Sequence, residues 1–157
     1  MAQGLINKGT GVQICATPQN ATLDAAAFAA LTYIDICCLT EMPTVGEEAE
    51  VASEFCIDGT EQTAVGASTG SEFDLSVFYK SDCVGQDELR DAAGTQDSYA
   101  IRIVRPDATV TTTATTIYVR AQITSKMFGS GGVNDFIADV YGAKITQSPI
   151  FVKPAAV

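Results

Sequence analysis

Residues 40–70, TEMPTVGEEAEVASEFCIDGTEQTAVGASTG, carry Glu41, Glu47, Glu48, Glu50, Glu54, Asp58 and Glu61 and not one Lys or Arg. Strand-like segments stand on both sides. Connections longer than about 12–15 residues with no structure of their own are uncommon in compact domains, unless they serve a purpose or stay disordered. The stretch also holds Val45, Val51, Phe55, Cys56, Ile57 and Val65, which makes it too apolar for a solvated tail. The sequence therefore predicts an arm that orders by docking on another copy of the chain.

The rest of the charge fits that expectation. The chain has 157 residues, the size of one domain, and its net charge is −10. Residues 1–97 sum to −13 and residues 98–157 to +3. Unlike ends suit head-to-tail association, although linear charge blocks need not stay together in space. Only 18% of residues are charged, against about 25% in ordinary soluble domains. A surface short of charge favours partners. So acidic a chain does not hold nucleic acid by its phosphates, since that grip uses Lys and Arg; it can repel nucleic acid instead.

Most of the remaining sequence alternates as strands do. VQICA (12–16) reads as a short strand. Residues 24–30 are open between helix and coil, and 31–39 read as a strand. In 71–80, Phe73, Leu75, Val77 and Tyr79 share one face, with Glu72, Asp74, Ser76 and Lys80 opposite. A helix is expected over 82–94, with Asp82 as N-cap, an apolar face of Val84, Leu89, Ala92 and Ala93, and Gly94 as the left-handed stop. Strands follow at 99–105 and 117–126, with Ile117, Val119, Ala121 and Ile123 inward and Tyr118, Arg120, Gln122, Thr124 and Lys126 outward. After a glycine turn at 129–132, two more strands are expected at 134–142 and 144–152, with Pro149 favouring an edge. The first ten residues read as a flexible lead-in. The expected fold is mainly β: a sandwich or half-barrel of six to eight antiparallel strands with one short flanking helix, forming a single domain over 1–157.

Several chemistries lack their residues. Histidine is absent, which removes Ser-His-Asp and Cys-His nucleophile pairs and most zinc and iron centres. The GSGG of 129–132 opens a strand and not a helix, so it offers no phosphate cradle. Acid pairs such as Glu72/Asp74 are the right type for glycoside cleavage or calcium, yet tryptophan and any DxDxDG loop are missing. Neither a cofactor nor a metal is expected, and the chain reads as no enzyme. Five cysteines (15, 37, 38, 56 and 83) form no CxxC pair. They read as small buried apolar residues in a reducing compartment, with a disulfide or metal role as the other option. No run of 18 apolar residues and no secretory leader is visible, so synthesis in a cytoplasm is expected.

The segments SEFDLSVFYKSDCVGQDELRDAA (71–93), with its DxxGQxxLRxA helix, YAIRIVRPD (99–107) and GGVNDFIADVYGAKITQSP (131–149) resemble the major tail tube proteins of long-tailed bacteriophages and related gene transfer agents. The likeness covers about the last half of the chain; the first half matches in layout only. It implies hexameric rings whose inner strands join into one barrel, stacked into a virion tail tube through which DNA leaves without being held. It also implies tape measure, tail terminator and distal tail proteins as partners. The arm acids Glu41 to Glu61 are the candidates for contact between subunits and rings. Lys126, Lys144 and Lys153 are candidate basic partners, and Asp35, Glu72 and Asp74 candidate lumen residues. Rival expectations are the inner tube of a contractile tail or secretion system, and a virion decoration or adhesion module.

Overall fold

The computed structural model describes residues 8–129 and 131–157. Most of the expected N-terminal lead-in, and Ser130 of the glycine turn, lie outside the described residues. The element order is β1 (Gly11–Ile14), α1 (Ala25–Ala29), β2 (Ile34–Asp35), β3 (Glu47–Phe55), β4 (Glu61–Gly70), β5 (Glu72–Phe78), α2 (Val84–Ala92), β6 (Ser98–Val104), β7 (Thr116–Phe128) and β8 (Ala138–Val152). Six strands form one antiparallel sheet in the order β2, β1, β6, β7, β8, β5, curled into a half-barrel; β3 and β4 pair only with each other.

Alternation decides which face is buried. Phe73, Leu75 and Val77 of β5, Tyr99, Ile101 and Ile103 of β6, Ile117, Val119, Ala121 and Ile123 of β7, and Tyr141, Ala143 and Ile145 of β8 form the main core with Leu89, Ala92 and Ala93 of α2. Each large apolar side chain so buried stabilises by about 1.5–3 kcal/mol. The opposite face has a smaller cluster. There Phe28 of α1, whose N-terminus Asp24 caps at 2.7 Å, stacks on Tyr118 at 5.3 Å between ring centroids. Tyr118, expected outward, is therefore buried under α1, and Arg120, also expected outward, is buried with its guanidinium donating to Thr146 O at 3.3 Å.

The segment expected to be a strand over 31–39 pairs with β1 only at Ile34 and Asp35. It then crosses the open end of the sheet as a strap. Ile36 N–H donates to Val12 O, Phe78 N–H to Cys38 O and Thr40 N–H to Ser76 O, each at 2.9 Å, so the strap touches β1 on one side of the sheet and β5 on the other. Cys38 turns the chain there with a φ of +56°. The start of α2 packs straight onto this strap. A Cβ on Gly85 would lie 2.0 Å from Asp35 O, so only glycine fits. The fully buried Gln86 amide donates to Cys37 O (3.0 Å) and Phe78 O (2.9 Å) and accepts from Lys80 N–H (3.0 Å). Cys37 and Cys83 are joined by a disulfide with their Cα atoms 6.1 Å apart.

This docking shifts the helix start. Cys83, not Asp82, occupies the N-cap and makes no capping bond through its side chain. Val84 is exposed and the inward face is Gly85, Gln86, Leu89 and Ala92, because the residue that meets the strap is a hydrogen-bonding amide. Gly94 ends the turn at φ +86° as expected. The cysteines divide. Cys15 is buried and free, Cys37 and Cys83 are bonded, and Cys38 and Cys56 are exposed. They do not all behave as buried apolar residues.

The two strands expected at 134–142 and 144–152 are one 15-residue strand, β8. Gly142 does not interrupt it because β5 and β7 flank it there on both sides. Pro149 is tolerated because β5 stops pairing at Lys144, leaving the later half of β8 with a neighbour on one side only.

Candidate assembly surface

The predicted arm is a β-ribbon that stands away from the body. β3 and β4 pair from Glu47↔Gly70 to Phe55↔Glu61, with a bulge between Ala49 and Val51. Their feet meet where Ser71 N–H (3.1 Å) and Ser71 Oγ (2.9 Å) donate to Gly46 O. Only the foot touches the sheet. Ser148 Oγ donates to Glu47 at 2.6 Å, Gly70 packs against Ile145, where an added Cβ would lie 2.6 Å from Ile145 O, and a polar cleft of about 160 Å³ opens beside them, lined by Glu47, Ser68 and Thr146 to Ser148.

Register sorts the ribbon into two faces. Val51↔Val65, Ser53↔Thr63 and Phe55↔Glu61 lie on one, and Ala52↔Ala64 and Glu54↔Gln62 on the other. Glu50 falls at the bulge beside Glu54's face. Phe55 is 75% exposed and Val65 70%, so an apolar face on a two-stranded sheet is left in water. Isolated hairpins are marginal without such a face being covered. Ile57 and Asp58 form the tip. The Thr60 N–H and hydroxyl both donate to Asp58 and hold its carboxyl below the usual carboxylate range. Glu41 is exposed on the lead from the strap into the ribbon.

The sheet itself is staggered. β6 covers β7 only as far as Gln122, and β5 covers β8 only from Lys144 downward. Among the described residues, Ile123–Phe128 therefore has no strand on its β6 side and Thr146–Val152 none on its β5 side. The two open half-edges have similar length and lie on opposite sides. Open backbone edges invite pairing with another chain. This feature depends on stagger, and sequence reasoning missed it.

The remaining sequence candidates fall as follows. Asp35, Glu72 and Asp74 share the sheet face opposite the main core, because Asp35 registers through Gln13 with Arg102, and Glu72 through Lys144 and Gln122 with Ser98. They stand at its two lateral ends, with α1 over the middle. Gln13 Nε2 donates to Asp35, and Gln13 Oε1 accepts from Arg102 Nε. Lys144 lies 3.5 Å from Glu72, so it is engaged within its own chain. Lys126 is exposed near the free end of β7, among Met127, Phe128, Phe136 and Ile137, all exposed. Lys153 is exposed beyond β8, near Arg105, whose guanidinium lies 5.5 Å from the Phe151 ring centroid.

No protein-family model matches the chain, and no curated protein does. Solved structures do. A chain of the sheath/tube terminator of an extracellular contractile injection system, PVC, in its extended state superposes with TM-score 0.68 at 12% identity, over 97% of this chain and 99% of that one. A chain of the SPP1 tail tube gives 0.64 at 12%, over 94% and 78%. A chain of the virion of a native gene transfer agent particle gives 0.60 at 14%, over 96% and 100%. The fold is thus the one found in tail tubes and their terminators, as the sequence resemblance implied. At these identities the likeness speaks for the fold.

Proposed function

We propose that this chain is a structural subunit that polymerises with itself into the tube of a phage-like tail. One observation carries the reading: an amphipathic ribbon whose apolar face is left uncovered among the described residues. The open half-edges support it, since the edge of β8 on one copy can pair with that of β7 on the next and continue the sheet between copies. The finer assignment is hexameric rings, stacked through ribbons, forming a siphovirus-type tube with tape measure, terminator and distal tail proteins as partners. The subunit is made in the host cytoplasm and resides in the virion tail. A chain of this length has a radius of gyration of about 15 Å. Six such bodies leave a hole on the order of 30 Å, wide enough for a duplex.

DNA passes and is not held. The net charge of −10 disfavours phosphate binding, and Asp35, Glu72 and Asp74 are assigned to the lumen on the strength of their common face. Their reversal to Lys leaves assembly intact and slows genome release; unchanged release rejects the assignment. The role is mechanical, and no catalysis is assigned to it. The inner tube of a contractile system is the second reading, favoured by the likeness to the contractile-injection chain. A decoration or adhesion module predicts a discrete monomer or trimer.

The deciding experiment is to concentrate the purified protein and view it by negative-stain microscopy. Rings or tubes are expected. A monodisperse monomer at high concentration overturns the reading. Reversing Glu47, Glu48 and Glu50 to Lys is expected to leave a folded subunit that no longer forms tubes.

A further inference from the structure

The ribbon needs a receiving surface, and two exposed apolar ends compete for it. One end gathers Met127, Phe128, Phe136 and Ile137 around Lys126. Its charge is mixed, since Asp135 lies in the turn between β7 and β8 and Asp139 at the start of β8. The other end joins residues 105–116 to 152–157, tied by Arg105 N–H to Thr115 O, Thr113 N–H to Ala155 O and Val157 N–H to Thr111 O. There Arg105 lies over the half-exposed Phe151, Lys153 follows two residues on, and Val110 and Val157 are exposed. Asp107, a carboxylate at this end, accepts from the Thr115 N–H and hydroxyl and also feels the charge of Arg105, though without a salt bridge to it. Neither Arg105 nor Lys153 has a carboxylate partner among the described residues. In a chain of charge −10, this end sets two cations beside an exposed aromatic, neither of them in a salt bridge among the described residues.

The ribbon presents the complement. Near its tip Phe55 pairs across the strands with Glu61 on the apolar face, Glu54 stands on the opposite face, and Asp58 lies at the turn. No cation occurs anywhere in residues 40–70. We infer that the tip of the ribbon of one copy docks on the Arg105–Phe151–Lys153 end of a second copy. Phe55 meets the apolar rim of Phe151 and Val110, and the tip carboxylates meet Arg105 and Lys153. Unlike charges set register and suppress wrong partners, because the rest of an acidic neighbour repels the same tip. This inference rests on the self-assembly reading and adds to it which surface receives the ribbon.

The test is a charge exchange combined with a cross-link. R105E/K153E is expected to weaken self-association in sedimentation at least about tenfold, and adding E54K/E61K to restore it. Cys56, exposed beside Phe55, supplies a natural probe at the tip. In a C38S background, mild oxidation of K153C is expected to yield a peptide linking Cys56 to the introduced thiol of another copy; K126C is expected to give none. Wild-type association by R105E/K153E, failure of E54K/E61K to restore it, or cross-links to K126C instead each overturn this surface and leave the tube reading standing. A wild-type protein that stays monomeric and unlinked at high concentration overturns both.

Discussion

The strap end and the ribbon are both built from short extended segments, and they are stabilised in opposite ways. At the strap, Gly85 allows contact with backbone, Gln86 satisfies three backbone groups and Cys37–Cys83 joins the two sides. Every polar group named there has a partner in the same chain. On the ribbon, Val51, Phe55 and Val65 face water, and contact with the body ends at Glu47 and Gly70. The difference teaches where to look for function. A region whose interactions are complete alone maintains the fold, and one whose interactions stop short is waiting for a second molecule.

Five variants break or sharpen this contrast. Cys83→Ser, or reduction, opens a loop with a sequence separation of 46 residues and should lower stability by up to about 4 kcal/mol in the chain-entropy account. Chemical denaturation measures it, and an unchanged midpoint would show the strap to be held without the bond. Gln86→Ala strands Cys37 O, Phe78 O and Lys80 N–H, at a cost of roughly 2–3 kcal/mol. That corresponds to a melting temperature lower by about 4–12 °C. A melting temperature equal to wild type would remove Gln86 from its assigned role.

Phe55→Ser with Val65→Ser should do the reverse. Stability stays within about 0.5 kcal/mol, as for exposed positions, while self-association measured by sedimentation falls at least about tenfold. A large loss of stability would mean that the ribbon is part of the body. The smallest effect concerns acid. Thr115 holds the Asp107 carboxyl below its ordinary 3.8, as Thr60 does for Asp58. A depressed folded pKa gives stability that is complete above that ordinary value and lost as pH falls through the folded one. Asp107→Asn should therefore flatten the acid limb of unfolding below pH 3.8, and Asp58→Asn should do so less, because its partner Thr60, two residues on, stays within reach in the unfolded chain. Equal effects would erase the distinction between the two regions.

Much of the body was legible because its strands alternate cleanly. Residues 71–80, 99–105 and 117–126 gave β5, β6 and β7 within a residue or two at most ends. The helix was legible too, and so were Leu89, Ala92 and Ala93 of its inward face; Val84 was misplaced and Gln86 missed, because a buried amide breaks the apolar pattern that marks a core. The strap was written in strand-forming letters and is not a strand: its partners lie on two different edges, a fact of topology. β8 looked divided because Gly142 and Pro149 signal turns locally, and flanking strands override the first while an open edge accommodates the second. At the site, the acids of residues 40–70 were evident, whereas their pairing as a ribbon was hidden by small residues. Ala49, Ser53 and Ala64 thin the alternation that Val51, Phe55 and Val65 complete. Arg105 and Phe151 gave no signal, since they meet only when β8 reaches the β6–β7 turn.

The single carbonyl of Gly46, accepting twice from Ser71, has a wider meaning. It brings the entry and exit of a 24-residue excursion (Glu47 to Gly70) to the same point. The domain can therefore be regarded as a socket with an interchangeable fitting. A longer, shorter or differently decorated insert leaves the surrounding architecture untouched, so reach and partner choice are adjustable independently of the scaffold that carries them.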